Sequence, residues 1–81
     1  MWMDEIETRI TGLVADELDL ESVDPDENFL DVGLDSFAAL RLAQAVRDAF
    51  GVRVTLANVF RAPTVRQLSE VVRAQVTAGR P

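Results

Sequence analysis

Apolar residues recur at helical spacing in several stretches of this chain and lose that spacing between them. The first stretch runs from about Asp4 to Leu18, where Ile6, Ile10, Leu13, Val14 and Leu18 share one face of a helix. Asp4, Glu5 and Glu7 occupy its first turn, where the helix dipole favours negative charge. Gly12 costs up to about 1 kcal/mol relative to Ala inside such a helix, and close packing against a neighbour is the expected reason for it.

The second stretch runs from about Ser36 to Phe50 and stops at Gly51, a residue suited to a left-handed helix end. At about 100° per residue, Ala39, Leu42, Ala43, Val46 and Phe50 gather on one side, while Gln44, Ala45 and Asp48 fall on the side of Arg41. Phe37 lands about 40° from Arg41, so the period places an aromatic ring on the wet side, unless the first turn bends inward. Val52, Arg53 and Val54 read as an extended link, and Leu56 to Arg61 as a brief helix. After Pro63, Thr64 and Gln67 have the spacing of a capping box. Val65, Leu68, Val71, Val72 and Val76 then form the stripe of a last helix, with residues 77–81 expected to fray.

From Asp19 to Asp35 the periodicity is absent. Pro25, Gly33 and scattered Asp, Ser and Asn mark a long loop, of a length that is often functional in small domains. Val23, Phe29, Leu30 and Leu34 are expected to pin it to the core. Asp24, Asp26 and Asn28 imitate the start of a calcium loop, but Phe29 stands where a sharp turn needs Gly and Asp35 where a bidentate Glu belongs. No metal site is expected.

Composition narrows the chemistry. The 81 residues make one small domain, 1–81, with a core over about 4–76, no repeat and little room for a deep substrate cavity. The chain has no Cys, no His and no Lys, which removes disulfides, thiolate metal sites, Ser-His pairs and Schiff-base lysines. Self-contained catalysis is nearly excluded, so no catalytic residue is assigned. No run of apolar residues reaches membrane-spanning length, and the start, Met1-Trp2-Met3-Asp4-Glu5, is acidic where a secretory signal is basic. A cytoplasmic protein is expected, with neither membrane nor nucleic acid as a partner.

The net charge of −6 conceals a division. Residues 1–35 carry twelve acids against Arg9 alone, whereas residues 36–81 carry seven Arg against Asp48 and Glu70. Either acids crowd the first helix and loop without consequence, or two differently charged faces meet partners near the boundary.

That boundary is Asp35-Ser36. Ser36 follows Val32-Gly33-Leu34-Asp35 and opens a helix, so its hydroxyl sits beside backbone N–H groups that stabilise a phosphate by about 0.3–1 kcal/mol. Gly33 keeps the preceding backbone slim for an approaching protein. Alone, this is how an ordinary capped helix begins.

The larger pattern is more specific. Phe29-Leu30-Asp31-Val32-Gly33-Leu34-Asp35-Ser36-Phe37, then Leu40, then Phe50-Gly51-Val52-Arg53-Val54, Phe60, Pro63-Thr64-Val65 and Leu68 together resemble the acyl and peptidyl carrier protein family over about residues 6–76. The resemblance implies an all-α fold, a small right-handed bundle of three main helices plus a short one, with the long loop between the first two. It implies a 4′-phosphopantetheine arm on Ser36, added from coenzyme A by a phosphopantetheinyl transferase, with Gly33, Leu34 and Asp35 as the flanking motif. The thiol of that arm would hold acyl or aminoacyl groups as thioesters, supplying chemistry that a chain without Cys and His lacks. The implied partners are that transferase, a loading enzyme of the adenylation or acyltransferase type, and downstream condensing or tailoring enzymes, each meeting a monomer.

Fatty-acid-type carriers usually present acids along the second helix, whereas this one exposes Arg41 and Arg47 against Asp48 alone. The segment Phe60 to Leu68 looks more like carriers of nonribosomal peptide and polyketide assembly, and Gly33-Leu34-Asp35 like acyl and aryl forms. Secondary metabolism is the expected setting, and the starting Met with a short polar tail suggests a free-standing carrier. Phe37, Leu40, Arg41, Val59 and Phe60 are expected to form the docking surface, unless Leu40, Val59 and Phe60 are core. Three other readings stay open: a fatty-acid-type acyl carrier protein, an unmodified helical adaptor, and a small enzyme using Asp31 and Asp35 as acid and base.

Overall fold

A computed structural model describes the backbone of residues 2–78 and the side chains of residues 5–77. The helical periods become α1 (Trp2–Leu18), α2 (Ser36–Phe50), α3 (Leu56–Arg61) and α4 (Val65–Ala78), with no strand among the described residues. α4 runs through Ala78, past the expected onset of fraying at Thr77, and residues 79–81 lie outside the described residues.

The stripes read from the sequence meet in one core. Ile6, Ile10 and Val14 of α1 pack with Ala38, Ala39, Leu42, Ala43 and Val46 of α2 and with Val65, Leu68 and Val72 of α4. Small Ala side chains on α2 let its backbone approach the other helices, and α1 lies against both α2 and α4. Val54 and Val59 close the core from the link and from α3. Ser69 is fully buried on α4, a polar residue inside the stripe that the period does not anticipate.

Local chemistry ends each element. Asp19 takes a left-handed conformation after α1, with φ of 56°, and the Leu20 N–H donates back to the Ala15 carbonyl at 2.9 Å. Gly51 terminates α2 as expected, its N–H on the Arg47 carbonyl at 2.8 Å. α3 begins with a reciprocal cap, in which the Thr55 hydroxyl accepts from the Asn58 N–H and the Asn58 side chain accepts from the Thr55 N–H. For α4 the Thr64 hydroxyl accepts from the Gln67 N–H at 3.0 Å, one half of the expected capping box, while the Gln67 side chain accepts from the Thr64 hydroxyl at 3.2 Å instead of from its N–H.

Gly12 corrects the expectation of close packing. It is exposed, and a Cβ built on it meets nothing within 4 Å.

Candidate functional site

The long loop is held in place by contacts from distant parts of the chain. Phe29 is fully buried and its N–H donates to the Pro63 carbonyl at 2.7 Å. The Arg66 N–H donates to the Pro25 carbonyl at 3.0 Å, and its guanidinium forks onto Asp26 at 2.7 and 3.2 Å. These bonds tie the loop to the α3–α4 junction. The Arg66 hydrogen bond, with its positive charge, holds the Asp26 carboxyl below its ordinary value.

Asp24, Asp26 and Asn28 each serve the loop itself. Asp24 accepts the Asp26 N–H at 2.8 Å and Asn28 accepts the Leu30 N–H at 2.8 Å, which starts a single 3-10 turn over Phe29–Val32. An Asn directly before Phe29-Leu30-Asp31 is a capping signal that sequence reading leaves unused. Of the four residues expected to pin the loop, Phe29 and Leu34 are buried and Val23 packs on the core, but Leu30 points outward at 52% exposure. At about three residues per turn, Leu30 is rotated by about 120° from Phe29, so with Phe29 in the core Leu30 faces outward.

Gly33 follows the turn at φ of 110°, a backbone state that L side chains rarely adopt. Its N–H and that of Leu34 both reach the Phe29 carbonyl. Within the chain, then, Gly33 is required for its conformation, since a Cβ there meets nothing within 4 Å. Leu34 anchors the loop's end at 6% exposure and delivers the chain to α2.

Asp35, rather than Ser36, caps α2. Its carboxylate accepts the Ala38 N–H at 2.8 Å and its carbonyl accepts the Ala39 N–H at 2.8 Å. Ser36 therefore stands at the first helical position, exposed, and none of the hydrogen bonds among the described residues uses its hydroxyl. The N–H groups of Ser36 and Phe37 belong to the first turn and have no carbonyl four residues back within the helix.

Several large apolar side chains are exposed on the first turns of α2 and on α3. Phe37 is 74% exposed, so the first turn does not bend inward, and Leu40, one turn beyond Ser36, is 47% exposed. Leu56 and Phe60 on α3 are each 37% exposed. Val59 is fully buried, which corrects its expected place on the docking surface: on so short a helix, rotation by one residue separates core from solvent, and Val59 points in where Phe60 points out. Leu56 and Leu30 are further exposed apolar residues, which the sequence reading did not expect at the surface.

Arg41 lies one turn beyond Phe37, but its charge is engaged. Its Nε donates to Glu17 Oε1 near the end of α1 at 2.8 Å. With Arg66–Asp26, this is a second pair linking the acid-rich first part of the chain to the Arg-rich second part. The charge division is thus used inside the molecule.

Comparison with known proteins accords with this geometry. The family model described as the phosphopantetheine attachment site matches residues 8–72. The polyketide synthase PksL of Bacillus subtilis is 35% identical over 65 residues, which are 78% of this chain and 1% of that protein. The phosphinothricin tripeptide synthetase PhsC of Streptomyces viridochromogenes is 34% identical over 73 residues, 90% of this chain and 7% of that protein. The chain therefore spans only a small fraction of these curated relatives. A free-standing peptidyl carrier protein from an Acinetobacter baumannii secondary metabolic pathway has the same fold, with a TM-score of 0.84 at 28% identity over 91% of this chain and 95% of that one. With a matching fold and a family match over most of its length, the chain belongs to the phosphopantetheine attachment site family.

Proposed function

We propose that Ser36 is the residue that takes the 4′-phosphopantetheine arm and that the chain, one carrier domain over residues 1–81, presents acyl or aminoacyl thioesters on that arm to separate enzymes. The observation that carries this reading is the division of roles at the start of α2: Asp35 caps the helix and leaves the Ser36 hydroxyl exposed. The site fits a phosphodiester on one side and opposes it on the other. The free N–H groups and dipole of the first turn favour an anion, while the Asp35 carboxylate repels one. Gly33, Leu34 and Asp35 set the approach, through the turn, the anchor and the cap.

The attached arm supplies a thiol. The chain's own residues supply placement and a docking surface, formed by Phe37, Leu40 and Phe60 with Leu30 and Leu56, and with Arg41 at its border. Partners on this reading are a phosphopantetheinyl transferase, an adenylation or acyltransferase-type loading enzyme, and downstream condensing or tailoring enzymes, which bind the chain as a monomer. No helix of the described residues is long and apolar enough to cross a membrane. A cytoplasmic setting, where coenzyme A is supplied, belongs to the proposal.

Intact mass spectrometry tests it. Incubation with coenzyme A and a broad-specificity phosphopantetheinyl transferase adds one phosphopantetheine to the wild-type chain and none to Ser36→Ala. A gain on Ser36→Ala, or no gain on the wild type with transferases of two types, refutes the assignment.

A further inference from the structure

Arg41 stands on α2 in line with Phe37 and next to Leu40, at the border of the proposed docking surface, whose other exposed charges are Asp31 and Asp35 before Ser36 and Arg61 after Phe60. A free guanidinium there would attract acidic partners and make docking salt-sensitive. Arg41 is not free. Glu17, from the last turn of α1, lies against its Nε at 2.8 Å, and the Glu17 side chain is only 23% exposed whereas that of Arg41 is 56% exposed. The carboxylate is thus tucked behind the cation, and the pair shows partners a neutralised border beside the exposed rings of the site.

We propose that Glu17 is a specificity-determining residue: by neutralising Arg41 from behind, it removes a free cation from beside the exposed Phe37 and Leu40, so that a transferase docks there through apolar contact with these side chains rather than through carboxylates directed at Arg41. The inference rests on the proposal that partners meet the chain around Ser36. It assigns a recognition role to a residue of α1 that does not itself lie on the apolar patch.

Two substitutions separate charge from structure. Glu17→Gln and Arg41→Gln both break the same ion pair, but only Glu17→Gln leaves an uncompensated cation beside Phe37. The KM for the carrier in phosphopantetheine transfer, measured with a broad-specificity transferase between low and high salt, is expected to change less than about 2-fold for the wild type. For Glu17→Gln it is expected to change about 3- to 10-fold over the same range, as screening hides the exposed guanidinium. Arg41→Gln and the double variant keep the flat profile, whatever their absolute KM. A flat profile for Glu17→Gln overturns the inference, and so does an equal salt response in Arg41→Gln, which would make the pair merely structural. Circular dichroism and a thermal melt on each variant establish that the helices are intact, as expected for loss of an exposed pair. If the wild type gains no phosphopantetheine at all, the underlying reading fails and takes the inference with it, whereas a normal mass gain with a flat Glu17→Gln profile removes the inference alone.

Discussion

Replacing Gly12 with Ala should stabilise the domain. Gly12 lies well inside α1, is exposed, and has nothing within 4 Å of where a Cβ would stand, so the new methyl group neither clashes nor fills a cavity. What remains is helix propensity, which favours Ala over Gly by about 0.8–1.0 kcal/mol, mostly because the unfolded Gly backbone has more freedom to lose. In a domain of this length 1 kcal/mol corresponds to a rise in Tm of about 4–8 °C. Thermal and urea unfolding followed by circular dichroism measure it, with an unchanged dependence on urea showing that the surface exposed on unfolding is the same. An unchanged or lower Tm would refute the reasoning, because it would require a neighbour against the Gly12 face. Modification of Ser36 should proceed at the wild-type rate in this variant, since Gly12 stands outside the proposed docking surface.

Other residues give equally direct tests. Phe37→Ala should leave stability within about 0.5 kcal/mol, because the ring is already exposed, yet lower kcat/KM for phosphopantetheine transfer about 10- to 30-fold if the ring anchors docking; equal kcat/KM removes Phe37 from the surface. Asp26→Asn should flatten the acid limb of the stability curve. The Arg66 hydrogen bond lowers the Asp26 pKa in the folded state, so its contribution is present above the ordinary value of 3.8 and is lost as pH falls through the lower folded value. Urea midpoints taken from neutral pH down to pH about 2–3 should therefore converge for wild type and Asp26→Asn at the acid end, and parallel curves would contradict the assignment.

The main helices were legible because each carries enough turns for a stripe to show. Ile6, Ile10, Leu13 and Val14 recur at i, i+4, i+7 and i+8, a helical rather than an alternating spacing, and the exposed position of Phe37 followed from the same arithmetic. α3 has six residues, too few to define a stripe, so sequence alone could not tell inward Val59 from outward Phe60. Gly12 was misread for a different reason: a Gly in a helix signals a local cost without saying whether a neighbour or solvent lies beyond it. Asp35 and Ser36 are both strong capping residues, and only the hydrogen bond to Ala38 shows which one caps.

The contacts that fix the site join residues far apart in the chain. Arg41 meets Glu17 across 24 positions and Arg66 meets Asp26 across 40, and no local pattern announces either pair. What sequence did show was their common cause, acids gathered before Asp35 and arginines after Ser36. That division offered two readings, one inconsequential and one of two faces turned toward different partners. Folding supports a third, since two of the arginines spend their charge on carboxylates of the first part, one bracing the loop and the other bordering the site. Exposed ion pairs contribute little to stability, so stability alone is a weak reason for the arrangement. On the proposal that partners meet the chain around Ser36, its larger consequence is at the surface: pairing Arg41 from behind removes a free cation from beside the exposed Phe37.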